Sequence, residues 1–323
     1  MTSSKASIFT IGNFSQFELL SEATSCSNWY INICRSSQQK IRDLVEAIST
    51  SKPEDHIYVE LRSNKMQVSA SQPKFYLNEN TVTICKEDRA TDDSLVVCSQ
   101  LYDTLSKYLP NRVSIDAGHV ELKDLRKDGD ALVGTCWKGG YLRPKMSLEI
   151  DPSPFIKGSL SETDEQIIIA TRNFPNVSYV LSRGCSVDQV LFIKNLAPTS
   201  RIAINIEETL EKKELLKLSM IENVEIWFNR SEIVSRSGPL KMAQYYLDFT
   251  SIIPELHCPI IMSGGVLESM VYSSTPSKAE ICNIIDTMRL GYSGYVLSYE
   301  TLLGQNAVNA AEALISLING IKV

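Results

Sequence analysis

The stretch RIAINIEETLEKKELLKLSMIENVEIWF, residues 201–228, sets the architecture. Arg201–Ile206 is a short run dominated by isoleucine, with the character of a strand buried on both faces. Glu207–Leu218 then places Leu210, Leu215 and Leu218 among Glu and Lys, a helical pattern. Val224–Phe228 is a second buried run. Strand, helix and strand in so short a span form the unit from which parallel sheets are built.

The same alternation extends in both directions. Upstream lie strand-like runs at Ser7–Ile11, Trp29–Cys34, Ile57–Leu61 and Ser178–Ser182; downstream lie Pro259–Met262 and Gly294–Leu297. Ile41, Leu44, Val45 and Ile48 recur at helical spacing after the second run. Ala307, Val308, Ala311, Leu314, Ile315 and Ile318 do so after the last. Pro239 stands where a helix starts and Pro254 where it stops. Eight strand–helix repeats predict an α/β chain, a closed (β/α)8 TIM barrel. One gap is too long for a loop. Between the third strand and Glu162, strand patterns at Lys74–Leu77, Thr81–Cys85, Arg112–Ile115, His119–Leu122, Ala131–Cys136 and Met146–Ile150 are separated by the turn signals Asp116–Gly118 and Lys138–Gly140. The expected organisation is a barrel over 1–68 and 157–323, with a small all-β domain, 69–156, inserted after strand 3.

Composition narrows the function. The 323 residues carry 32 Lys+Arg against 38 Asp+Glu, net −6, without a dense basic run, so neither nucleic acid nor a membrane surface is an expected partner. Eight dispersed cysteines form no Cys-x-x-Cys pair, which argues against zinc. With no signal-peptide core, the expected location is cytoplasmic and the thiols free. Fifteen glycines are few against a usual share of roughly 7%; sites that bind anions through close backbone approach need glycine.

Pro259–Met270, PIIMSGGVLESM, continuing through Thr275–Glu280, TPSKAE, resembles the "PVICATQMLESM…PTRAE" run of pyruvate kinases. Gly291–Thr301 resembles their "GADCIMLSGET". Weaker echoes are Thr10–Gly12 for "TIGP", Leu160–Asp164 for "LSEKD" and Val113–Gly118 for "VYVDDG". These motifs occur in family order along nearly the whole chain. The resemblance implies a barrel with an inserted β-domain and absence of the family's C-terminal allosteric domain, the chain ending one helix after the eighth strand. It also implies chemistry: phosphoryl transfer from phosphoenolpyruvate to ADP, achieved mostly by positioning and charge neutralisation.

The family's functional positions are altered here. On strand two, matching "ARLNFSHG", the phosphate-contacting arginine is Tyr30; Asn32 is kept as a potential K⁺ ligand and the serine ligand is Cys34. On strand three, Glu60 replaces the aspartate, Leu61 the threonine ligand and Gln67 an arginine. Asn205 stands for the catalytic lysine, whose loss is worth about 10³–10⁵ in rate by analogy with an arginine finger. Glu207 matches a Mg²⁺-binding glutamate. Arg230 is kept, Glu232 replaces the Mg²⁺-binding aspartate, and Ser231 and Val234 replace glycines that let backbone approach the substrate carboxylate. Gly264 removes the threonine of proton delivery and Asn13 replaces a proline near the nucleotide. In the β-domain Lys145 is kept, whereas Arg143 and Met146 depart.

Each retained group has two readings. Glu207 and Glu232 hold Mg²⁺, or are solvated or salt-bridged carboxylates. Asn32 and Glu60 are the remnant of a K⁺ site that has lost its hydroxyl ligands. Arg230 and Lys145 are residual anion-binding groups, with an ion pair from Arg230 to Glu207 or Glu232 as the alternative. His56, His119 and His257 read as structural, and Tyr245, Tyr246 and Phe249 as packing residues. The LESM segment reads as a helix bordering a barrel–barrel interface. The implied function is a catalytically impaired pyruvate-kinase-like subunit, paired with an active glycolytic pyruvate kinase paralogue in a hetero-oligomer or with itself through barrel helices. Two alternatives remain: a divergent active pyruvate kinase using Lys65, Lys145 or Arg62 as substitute cation, and a barrel lyase or aldolase working through a divalent metal.

Overall fold

A computed structural model describes residues 5–32, 38–61, 66–69, 71–78, 80–116, 118–129, 131–144, 146–151, 160–182 and 185–321. The chain divides into two compact units, Met1–Ser63 with Lys157–Val323, and Asn64–Ile156.

The first unit begins β1 (Ala6–Ile11), α1 (Phe14–Ala23), β2 (Asn28–Ile31), α2 (Gln38–Ser51) and β3 (His56–Leu61). In the second unit follow β4 (Met66–Gln67), β5 (Phe75–Leu77), β6 (Thr81–Lys86), β7 (Leu95–Val97), α3 (Ser99–Tyr108), β8 (Arg112–Ile115), β9 (Val120–Asp128), β10 (Ala131–Lys138), β11 (Gly140–Leu142) and β12 (Ser147–Asp151). The first unit resumes with α4 (Glu162–Thr171), β13 (Val177–Ser182), α5 (Val187–Leu196), β14 (Ile202–Ile206), α6 (Lys212–Ser219), β15 (Val224–Asn229), α7 (Arg230–Ser237) and α8 (Pro239–Ile252). It closes with β16 (Ile260–Ser263), α9 (Lys278–Arg289), β17 (Gly294–Leu297), α10 (Tyr299–Leu302) and α11 (Ala307–Gly320).

Eight strands of the first unit pair in parallel and close a barrel in the order β1-β17-β16-β15-β14-β13-β3-β2. Side-chain alternation gives each strand two apolar jobs. Phe9, Ile31, Val59 and Phe228 face outward into the main core shared with the helices. A second cluster takes one residue from every barrel strand: Ile8, Tyr30, Tyr58, Val180, Ala203, Trp227, Ile261 and Val296. This layer fills the bore. Trp227 is fully buried, with the Tyr30 ring edge-on to it at 5.2 Å and the Tyr58 ring at 5.1 Å. Barrel interiors are packed layers rather than pores.

The second unit carries a seven-stranded sheet, β4-β12-β8-β9-β10-β6-β7, and the ribbon β11-β5. It is not built of strands alone. SQLYDTLSKY forms α3 because Leu101 and Leu105, one turn apart, both bury their side chains in that unit's core. The expected Asp116–Gly118 turn joins β8 to β9, with positive φ at Asp116 (53°) and Gly118 (84°). In the barrel, α6 starts at Lys212 rather than Glu207, because Leu210 lies in the preceding loop and donates its N–H to the Tyr245 hydroxyl.

Candidate functional site

In a barrel the C-terminal strand ends carry the reacting groups. Tyr30 lies inside β2 on the bore side, 7% exposed, its ring against Trp227. A side chain contacting substrate phosphate would have to reach the barrel mouth; this one is part of the packed interior.

Asn205, near the end of β14, is 4% exposed. Its Nδ2 donates to Ser182 Oγ at 3.2 Å and to Glu207 Oε1 at 3.0 Å. The structure thus brings Asn205 and Glu207 together. A neutral amide can hold the carboxylate in place, but it adds no positive charge where a phosphoryl group would need it. Asn205 Oδ1 is buried with no hydrogen-bond partner among the described residues.

Arg230, the first residue of α7, was expected to hold an anion or pair with Glu207 or Glu232. In the structure its Nε donates to the Gly264 carbonyl (3.2 Å), Nη2 to the Gly265 carbonyl (2.5 Å) and Nη1 to Asn283 Oδ1 (2.6 Å). The reason is the backbone of the β16–α9 connection. Gly264 and Gly265 sit at φ 73° and 66°, a left-handed pair open mainly to glycine. A Cβ on Gly264 would lie 2.5 Å from Asn229 Oδ1 and 2.9 Å from the Ser231 nitrogen. Asn229 cannot yield easily, since that same Oδ1 caps α7 by accepting from the Glu232 N–H at 3.2 Å. A threonine therefore has no room where the resemblance places one.

The strongest motif has a structural explanation. Glu268–Val271, overlapping LESM, is a single turn of 3₁₀ helix rather than a longer α-helix. Ser269 donates its Oγ and backbone N–H to Glu280, at 2.5 and 2.8 Å. Glu280 is also the third residue of the capping box that Ser277 opens at the start of α9. The serine of LESM and the glutamate of PSKAE thus latch one loop, which accounts for their joint presence without chemistry.

Asn32 follows β2, its N–H donated to the Ile11 carbonyl at 3.2 Å; Glu60 is 1% exposed within β3. Leu61 is fully buried and faces outward into the main core. With leucine there, these residues do not fit a K⁺ site, which needs several oxygens. For Mg²⁺ the donor chemistry fits better: Glu207 and Glu232 offer carboxylates, and the unpartnered Asn205 Oδ1 is a further hard oxygen. No group of three or more His, Cys, Asp or Glu among the described residues is arranged to hold a metal. A Mg²⁺ ion would thus need waters or ligand oxygens as well. Lys145, Cys34, Arg62 and Lys65, and the side chain of Gln67, lie outside the described residues.

The sequence reading missed a polar group at the opposite end of the bore. Glu225 and Trp227 alternate on β15, and Arg201 precedes β14. A glutamate inside VEIWFN was the available signal, since a charge in a doubly buried strand requires a partner.

No protein-family model matches the chain. Curated proteins do match part of it. Pyruvate kinase isozyme A, chloroplastic, of Ricinus communis is 21% identical over 219 residues, covering 63% of this chain and 37% of that protein. Pyruvate kinase of Borreliella burgdorferi is 23% identical over 235 residues, covering 67% and 46%. Plastidial pyruvate kinase 3, chloroplastic, of Arabidopsis thaliana is 23% identical over 210 residues, covering 62% and 36%. The chain spans less than half the length of the curated relatives it matches. It is a distant, pyruvate-kinase-like protein.

Proposed function

We propose that this chain is a catalytically impaired pyruvate-kinase-like subunit that supports or regulates an active glycolytic pyruvate kinase paralogue. The observation that supports this reading is how Tyr30, Asn205 and Arg230 are engaged. Tyr30 fills the bore against Trp227, Asn205 replaces a cation with an amide, and Arg230 spends its donors on Gly264, Gly265 and Asn283. Phosphoryl transfer depends on uncompensated positive charge around the transferring group. Residual Mg²⁺ binding by Glu207 and Glu232 belongs to the same reading; the metal would supply charge neutralisation there.

Assembly is supported by the barrel's outer surface. Leu240 and Leu247, seven residues apart on α8, are 83% and 63% exposed, and Tyr272, just past the LESM turn, is 89% exposed. We place the partner, a paralogue or a second copy, on such barrel surfaces, and the protein in the cytoplasm. No helix among the described residues is long and apolar enough to cross a membrane.

The test is a lactate-dehydrogenase-coupled assay of the purified chain with phosphoenolpyruvate, ADP, Mg²⁺ and K⁺. Turnover at background is expected. Turnover within tenfold of an ordinary pyruvate kinase overturns the impairment and favours a divergent active enzyme. Co-purification from native lysate with mass spectrometry tests the assembly, an active paralogue being the expected companion.

A further inference from the structure

The N-terminal mouth of the barrel, at the other end of the bore from the strand C-termini, opens into a cavity of about 610 Å³. That lies within the roughly 300–1,000 Å³ common for small-molecule pockets. Tyr58 and Ile261, members of the bore layer, line it, together with an apolar wall of Met220, Ile221 and Pro259. Its polar side is Arg201 over Glu225.

Glu225 is 2% exposed. Its Oε1 accepts from the Trp227 indole N–H at 2.7 Å, and its Oε2 lies 3.5 Å from Arg201 Nη1. The same Nη1 donates to the Tyr58 hydroxyl at 3.3 Å. These contacts fix the guanidinium by one nitrogen at long range, while the Arg201 side chain stays 45% exposed. Burial raises the Glu225 pKa, against the Trp227 hydrogen bond and the Arg201 charge. An arginine held this way presents a planar fork of donors to a cavity lined on the other side by apolar atoms.

We infer that this cavity binds a small organic monocarboxylate, its carboxylate on the Arg201 fork and its apolar body against Met220, Ile221 and Pro259. The planar fork matches a carboxylate in two parallel hydrogen bonds. A cationic ligand is repelled by Arg201. A multiply charged phosphate is disfavoured because Glu222 also lines the cavity and no second Lys or Arg does among the described residues. Bottom-face residues of such barrels ordinarily serve stability; a half-exposed arginine at the edge of an open cavity departs from that pattern.

The probe is benzoate, with benzamide as its uncharged counterpart, followed by saturation-transfer NMR on the full chain. Wild type is expected to bind benzoate at least tenfold more tightly than benzamide. Arg201→Gln is expected to weaken benzoate at least tenfold. Met220→Glu supplies a second variant: Met220 is 68% exposed, so the change is tolerated by the fold and adds a negative charge to the cavity lining. It too is expected to weaken benzoate. No benzoate binding at 10 mM (about 2.7 kcal/mol), equal binding of benzamide, or benzoate binding unchanged in Met220→Glu would each overturn the assignment.

Discussion

Replacing Arg230 by methionine keeps much of its stem and removes every hydrogen bond its guanidinium makes. Three acceptors lose a charged donor: the Gly264 and Gly265 carbonyls and Asn283 Oδ1. A hydrogen bond to a charged group contributes about 1.5–3 kcal/mol. The 3.2 Å contact to Gly264 belongs at the weak end and the two near 2.5 Å at the strong end. Arg230 is only partly buried, so water will repair some of the loss, and a net cost of about 3 kcal/mol is reasonable. For a unit of this size that lowers Tm by about 6–12 °C. The assay is thermal unfolding followed by circular dichroism, with Arg230→Lys in parallel. Lysine keeps the charge but cannot span three acceptors in a fixed plane, so it should recover less than half of the loss. An Arg230→Met variant within about 1 kcal/mol of wild type in urea unfolding, or full rescue by lysine, would refute the reading of Arg230 as the tie holding the left-handed glycine turn.

Gly264→Thr should destabilise by about 2–4 kcal/mol, from a Cβ 2.5 Å from Asn229 Oδ1 and a backbone at φ 73°, and should give no activity; urea midpoints and the coupled assay check both. Burial, and secondarily the Arg201 charge, pushes the His56 imidazole down to about 4. The unfolded chain therefore takes up a proton near pH 6.5 that the folded chain refuses. Stability should fall as pH drops from about 6.5 toward 4, by up to about 3 kcal/mol, and His56→Gln should flatten that slope in urea titrations at successive pH values. Burial alone would raise the Glu280 pKa, but hydrogen bonds from Ser269 and Ser277 outweigh it and hold the carboxyl below its ordinary value. Its contribution should thus be present above pH 4.5 and fade on acidification below it, a dependence that Ser269→Ala reduces in acid unfolding.

The barrel was legible because its strands are buried on both faces, so runs such as IAINI and VEIWF stand out from the helices between them. Strand ends were less so: β2 is described to Ile31, and Cys34, included in that strand by the sequence pattern, lies outside the described residues. The helix α3 escaped notice because only Leu101 and Leu105 mark its buried face amid Ser, Gln, Asp and Lys. At the site, the substitutions themselves were readable residue by residue. Their consequences were not. Whether Tyr30 packs inward depends on Trp227, four strands away around the closed sheet. The partners of Arg230 are two backbone carbonyls and an amide more than thirty residues downstream. Backbone acceptors leave no mark in a sequence, so none of these three partners could be read from it.

The filled bore has a consequence for reversibility. An arginine put back at position 30 would be buried beside Trp227 and Tyr58, with no counter-charge supplied by those rings, and a threonine put back at 264 would strike Asn229. Each of these two substitutions first crosses a less stable protein. The packing therefore works as a ratchet: it tolerates drift among neutral side chains and resists an arginine at position 30 or a threonine at position 264 unless several changes are made together.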